Sequence, residues 1–174
     1  MRPLQWNLKL NWKYPESMEK LIPCGERRIL KWWARRENLI VSSPLHPLEP
    51  QVEVATDASN EGWGAHLINR WDSREKPRKT SCQLPETAQG QWSGSERQEH
   101  INCLELRAVH LALKYFRQRV EGKVVLVSTD NATVLSHINK QGGTHSLAMF
   151  MLTWDLLQWC RKHQVTLRAK GGKA

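Results

Sequence analysis

The sequence has no long apolar run: nowhere in its 174 residues is there anything near the roughly 18 uninterrupted apolar positions that a membrane span needs. The opening residues Met1-Arg2-Pro3-Leu4-Gln5-Trp6 hold no apolar block of the kind that directs secretion, so the chain reads as soluble and intracellular with no membrane partner. Paired cysteines are lacking too. Cys24, Cys82, Cys103 and Cys160 stand far apart without a C-x-x-C pair, which argues against a zinc knuckle or a thioredoxin-like motif and leaves free structural thiols. His66, His100, His110, His137 and His163 form no H-x-x-x-H or H-E-x-x-H arrangement, and His145 stands beside Gly142-Gly143-Thr144 on a candidate substrate loop. Gly62-Trp63-Gly64 is not a phosphate loop, because no helix follows it. Acidic charge is the scarcer sign, with 17 Asp+Glu against 26 Lys+Arg, and no acidic residue follows Asp155.

The composition, 40% hydrophobic and 25% charged, is that of a folding domain and excludes a disordered, collagenous or disulfide-stapled chain. The net charge of +9 suits a polyanionic partner, and residues 101–174 supply +7 of it.

Six of the eight prolines fall in the first fifty residues, which limits that stretch to extended pieces and one helix, Glu26–Glu37. Ile29, Trp32 and Trp33 form its apolar stripe; these tryptophans, with Trp6 and Trp12, are packing groups or a base-stacking platform. From Pro50 the pattern changes to short strands. Val52 and Val54 alternate with polar neighbours, and the strand runs through Thr56-Asp57-Ala58 to a turn at Asn60-Glu61-Gly62, with a hairpin partner in Gly62–Asn69. Residues 70–90 show no period and read as a mobile loop, with at most a short strand. Helix 101–118, with Asn102 as its N-cap, presents Leu104, Ala108, Leu111 and Tyr115 as an apolar face. Val124-Val125-Leu126-Val127 is a buried strand, Ala132–Lys140 and Ser146–His163 are helices, and Gln164–Ala169 is a last strand. This order predicts a mixed sheet with helices packed on it.

Three acids stand where carboxylates are costly. Asp57 shares a strand face with Ala55 and Ser59, Asp130 follows the central apolar strand, and Glu105 lies beside the buried helix stripe, next to Ile101, Ala108 and Val109. Three converging carboxylates must protonate, open up or hold a cation, and hard magnesium or manganese suits an all-oxygen site.

Thr56-Asp57-Ala58-Ser59-Asn60-Glu61-Gly62-Trp63-Gly64-Ala65, then His100-Ile101-Asn102-Cys103-Leu104-Glu105-Leu106-Arg107-Ala108-Val109, then Ser128-Thr129-Asp130-Asn131 occur in the order and spacing of a known family. The chain resembles the ribonuclease H domain of retrotransposon reverse transcriptases, most closely the DIRS-type elements mobilised by a tyrosine recombinase. The resemblance covers about Pro50 to Ala169. It implies an α/β ribonuclease H-like fold, a five-stranded mixed sheet flanked by helices, and cleavage of the RNA strand of RNA–DNA hybrids with Mg2+ or Mn2+ by a two-metal mechanism. Asp57, Glu105 and Asp130 match the family's catalytic and metal-ligating carboxylates, and Ser59, Asn60, Asn131 and Gln141 are candidate substrate contacts.

The resemblance also implies three parts: a Trp-rich connection segment over residues 1–49, a ribonuclease H-like domain over 50–170 and a tail over 171–174. In the family the last strand leads through a His-Pro-Gly-containing loop into a final helix bearing a fourth carboxylate. Here Leu167-Arg168-Ala169-Lys170 runs into Gly171-Gly172 instead, so a domain truncated at its C-terminus, lacking the final helix and with a weakened metal site, is expected. Two function classes follow: a nuclease with a reduced ligand set, or a non-catalytic nucleic-acid-binding module derived from a retroelement.

Overall fold

Val52 and Val54 build β1 (Val52–Ala58), buried together with Glu53 between them rather than in the expected alternation, and the Ser59–Glu61 turn returns the chain into β2 (Gly62–Asn69). β3 (Glu86–Gln91) follows, then a short 3-10 turn (Glu96–Gln98), α1 (Ile101–Tyr115), α2 (Arg117–Val120), β4 (Val124–Thr129), α3 (Ala132–Asn139), α4 (Leu147–Lys162) and β5 (Thr166–Gly171). In this computed structural model the chain divides into two compact units, Met1–Leu48 and Glu49–Ala174, and the residues described are 31, 34, 36, 48–69, 86–143 and 146–172. Of the expected helix Glu26–Glu37 only Lys31, Ala34 and Arg36 are among these; the tryptophans of the first unit, residues 70–85 of the expected loop, and His145 lie outside them.

The strand order is β3-β2-β1-β4-β5. β1 pairs antiparallel with β2 and β2 with β3, whereas β4 runs parallel to both β1 and β5, so the five-stranded sheet is mixed as the sequence predicts. The parallel pairs need crossovers, which α1 and α2 supply before β4, and α3 and α4 before β5. α1 packs on β1 and β2 and against α4, while α3 packs on β5. Between them lie Val54, Leu106, Leu113, Val125, Ile138 and Leu156, all nearly or fully buried, each contributing roughly 1.5–3 kcal/mol by leaving water.

Four sequence expectations are corrected. Residues 86–91 form a paired edge strand rather than loop, because backbone hydrogen bonding to β2 organises a segment in which only Ala88 is buried. The N-cap of α1 is His100, whose Nδ1 accepts from the Asn102 N–H at 3.1 Å, so Asn102 is already helical. Tyr115 is 67% exposed, because the sheet-facing side of α1 is carried by Leu106, Val109, Ala112 and Leu113. β5 occupies Thr166–Gly171, two residues later than expected, since Gln164 takes a positive φ of 55° in the turn leaving α4. Among the described residues no helix is long and apolar enough to cross a membrane.

Candidate metal centre

β1 and β4 are parallel neighbours with Ala55 opposite Ser128, so Asp57 and Asp130, each two residues further on, emerge at the same end of the sheet. Glu105 reaches that end from the second turn of α1. One carboxylate oxygen from each of Asp57, Glu105 and Asp130 lies within 4.8 Å of the other two. The convergence required for a cation site is therefore present. Asp57 and Asp130 are exposed, contrary to the expectation that all three would be costly to place, because both sit at the open rim of the sheet. Only Glu105 is buried, 5% exposed, on the flank of α1 turned toward the sheet.

Burial, then the neighbouring Asp57 and Asp130 charges, push the Glu105 carboxyl up to about 7, and a hydrogen bond from the Ala58 N–H draws it partly back. Its Oε2 is buried with no hydrogen-bond partner. Two carboxylate charges about 5 Å apart repel by roughly 3 kcal/mol at an effective dielectric of about 20, and an unmatched buried oxygen adds to that cost. An all-oxygen donor set with one orphaned buried oxygen fits a hard divalent cation such as magnesium or manganese.

Of the other predicted residues, Ser59, Asn60 and Asn131 stand within three positions of Asp57 or Asp130 in the chain, while Gln141 follows the end of α3 remote from Asp130. Ser59 Oγ accepts from the Glu61 and Gly62 N–H groups at 3.2 and 3.3 Å, so it shapes the turn after β1, while Asn60 is exposed at the tip. Asn131 caps α3, its Oδ1 accepting from the Thr133 and Val134 N–H groups at 3.0 and 3.1 Å, and its Nδ2 donates to Asn102 Oδ1 at 2.9 Å. That last bond ties the residue after Asp130 to the helix carrying Glu105. Gln141 is exposed beyond α3 with a φ of 56°.

Gln89 and Trp92 carried no signal in the sequence, and Gly64, Ser128 and Asn102 lay within the quoted motifs without being read as site residues. Gly64 lies opposite Asp57 and also opposite Gln89, leaving an open row across β1, β2 and β3. Gly64, Gln89, Ser128 and both aspartates line one trough. Asn102 reads as a cap but is the partner of Asn131. Trp92, 4% exposed, sends its indole N–H to the Ser59 carbonyl at 2.8 Å.

The family described as the RNase H-like domain found in reverse transcriptase matches residues 48–158. The chain belongs to that family. Among solved structures, the RNase H-like chain is similar to RNase H1 from the archaeon Halobacterium salinarum, at 12% identity over 69% of this chain and 83% of that one, with a TM-score of 0.50. It is also similar to the N-terminal RNase H domain of a Mycobacterium tuberculosis protein, at 12% identity over 71% and 82% of the two chains, with a TM-score of 0.51. At these identities the likeness shows the shared fold. Prototype foamy virus protease-reverse transcriptase is matched over 98% of this chain and 22% of the viral one, at 15% identity and a TM-score of 0.45. No curated protein matches the chain.

Proposed function

We propose that this RNase H-like domain hydrolyses the RNA strand of RNA–DNA hybrids at the Asp57, Glu105 and Asp130 site, with magnesium or manganese as cofactor. The observation that carries the reading is the convergence of those three carboxylates within 4.8 Å in a chain of this family. Asp57, Glu105 and Asp130 would hold the cation, Glu105 through its unpartnered Oε2. In the two-metal mechanism we propose, divalent cations held there would supply a lowered pKa for an attacking water and charge stabilisation for the leaving 3′ oxygen. The chain's own groups do the positioning. The fixed spacing of β1 and β4 holds Asp57 and Asp130 level with each other, and α1 delivers Glu105 from the side. Ser59 and Asn60 in the turn after β1, Asn131 next to Asp130, and Gln141 beyond α3 are the proposed contacts for ribose hydroxyls and backbone, and the basic surplus of the chain suits a phosphate backbone. We further propose that residues 1–49 form a connection segment of a retrotransposon reverse transcriptase of the DIRS type, ahead of a domain over residues 50–170.

A labelled RNA–DNA hybrid incubated with the chain and magnesium or manganese tests the activity. Metal-dependent cutting confined to the RNA strand, lost in Asp57→Asn and absent with duplex DNA, is the expected result. One observation favours a second reading, a nucleic-acid-binding module without catalysis: among the described residues the cluster holds three carboxylates. Salt-dependent hybrid binding without cutting is the outcome that module predicts.

A further inference from the structure

Trp92 follows β3 and sits in a small apolar cluster with Leu104 and Ala108, bordered by Ala58, Trp63 and Leu111. Leu104 immediately precedes Glu105, and Ala58 immediately follows Asp57. The cluster therefore contains the chain neighbour of two of the three site carboxylates. Both N–H groups of Trp92 go to the turn after β1: the indole Nε1 donates to the Ser59 carbonyl at 2.8 Å, and the backbone N–H donates to the Glu61 carbonyl at 3.1 Å.

We infer that Trp92 is a positioning residue for the metal centre, holding Asp57 and Glu105 at their mutual spacing; this rests on the metal-site reading above. Three consecutive residues carry the linkage. Asp57 is a ligand, Ala58 gives its N–H to the Glu105 carboxylate, and Ser59 has its carbonyl pinned by the indole. A shift of the Ser59 peptide moves Ala58, and with it both the first ligand and the hydrogen bond that orients the second. Within the turn the Ser59 N–H donates to the Gly62 carbonyl at 2.9 Å, whereas the other side-chain tie from outside it, the Arg97–Glu61 ion pair at 3.3 Å, joins two exposed side chains and is weaker than the indole bond. Groups that hydrogen-bond a metal ligand directly commonly change metal affinity by about 10–100-fold when removed, and Trp92 acts one step further out, through Ser59 and Ala58, so the low end of that range is its upper bound.

Trp92→Phe keeps an aromatic ring in the cluster but deletes the indole donor along with some ring volume, whereas Leu111→Ala also removes volume from the same cluster without touching Ser59, and so isolates the packing loss. Thermal melts of the full chain and both variants across a magnesium series separate packing from positioning. The expected result is that Leu111→Ala lowers the metal-free melting temperature with an unchanged magnesium midpoint, and that Trp92→Phe raises the midpoint by up to roughly 10-fold. A Trp92→Phe midpoint equal to that of the unsubstituted chain overturns the inference. If Trp92→Phe does not fold, the Trp92 indole N–H resonance of the unsubstituted chain decides: it moves on magnesium addition if Trp92 is linked to the ligands, and a resonance that stays put overturns the linkage. An unsubstituted chain whose melting ignores magnesium is a different result, overturning the metal-site reading itself and this inference with it.

Discussion

Asp57 stands directly opposite Gly64 across the β1–β2 ladder, and residues so paired direct their side chains to the same face. A Cβ on Gly64 would meet nothing within 4 Å, so the missing side chain leaves open the space beside Asp57 rather than relieving a clash. Gly64→Ala is therefore expected to melt at or slightly above the temperature of the unsubstituted chain, since a tolerated Gly→Ala change gains about 0.4–1 kcal/mol through the unfolded state. Its methyl group enters the trough, and hybrid cleavage should fall roughly 10-fold as the scissile group is displaced. Melting curves and initial rates on the same preparation check both halves.

Gly62 presents the opposite case. A Cβ there would lie 2.4 Å from the Gly90 carbonyl oxygen, a backbone atom with no freedom to swing away. Gly62→Ala is expected to destabilise by about 1–3 kcal/mol, read by urea denaturation.

The strands and helices that were legible in the sequence are those whose burial pattern is strong. β4 opens on the apolar, valine-rich run Val124–Val127 shortly after Gly122, and α4 is capped by Ser146, which accepts from the Met149 N–H at 3.3 Å as an N-cap should. β3 was not legible, because an edge strand with one buried residue, Ala88, has no alternation to display. The three carboxylates could be picked out through the spacing of their surrounding motifs. Their supports could not, because Trp92 reaches Ser59 across 33 positions and Asn131 reaches Asn102 across 29, and no local period encodes such contacts. The exposure of Asp57 and Asp130 was equally hidden, since it depends on how far each strand projects at the sheet rim.

Asn139 closes the outer side of β5. Its Nδ2 donates to the Ala169 carbonyl at 2.8 Å and its Oδ1 accepts from the Ala169 N–H at 2.9 Å, replacing the backbone partner that a further strand would provide. Asn139→Ala is expected to cost on the order of 1 kcal/mol in chemical denaturation, and to speed hydrogen exchange at the Ala169 amide above all others in β5.

Without metal, the Glu105 carboxyl ties stability to pH. Its value rises from 4.5 unfolded to about 7 folded, so between these limits the folded state keeps a proton that the unfolded state releases. Stability contributed by this group is full below pH 4.5, declines as pH rises through 7 and is lost above it. Denaturation in the presence of a chelator should show up to about 3 kcal/mol of such loss, and Glu105→Gln should remove this part of the slope and be the more stable protein at pH 8.

Under the proposed function Asp57, Glu105 and Asp130 form one divalent-cation site, and calorimetric titration of manganese into the chain measures that binding. The predicted result is saturable binding that stabilises the fold by about 2.7 kcal/mol at a hundredfold excess over Kd, abolished or greatly weakened in Asp130→Asn. Binding that survives Asp130→Asn undiminished, or no saturable binding by the folded chain, would contradict it.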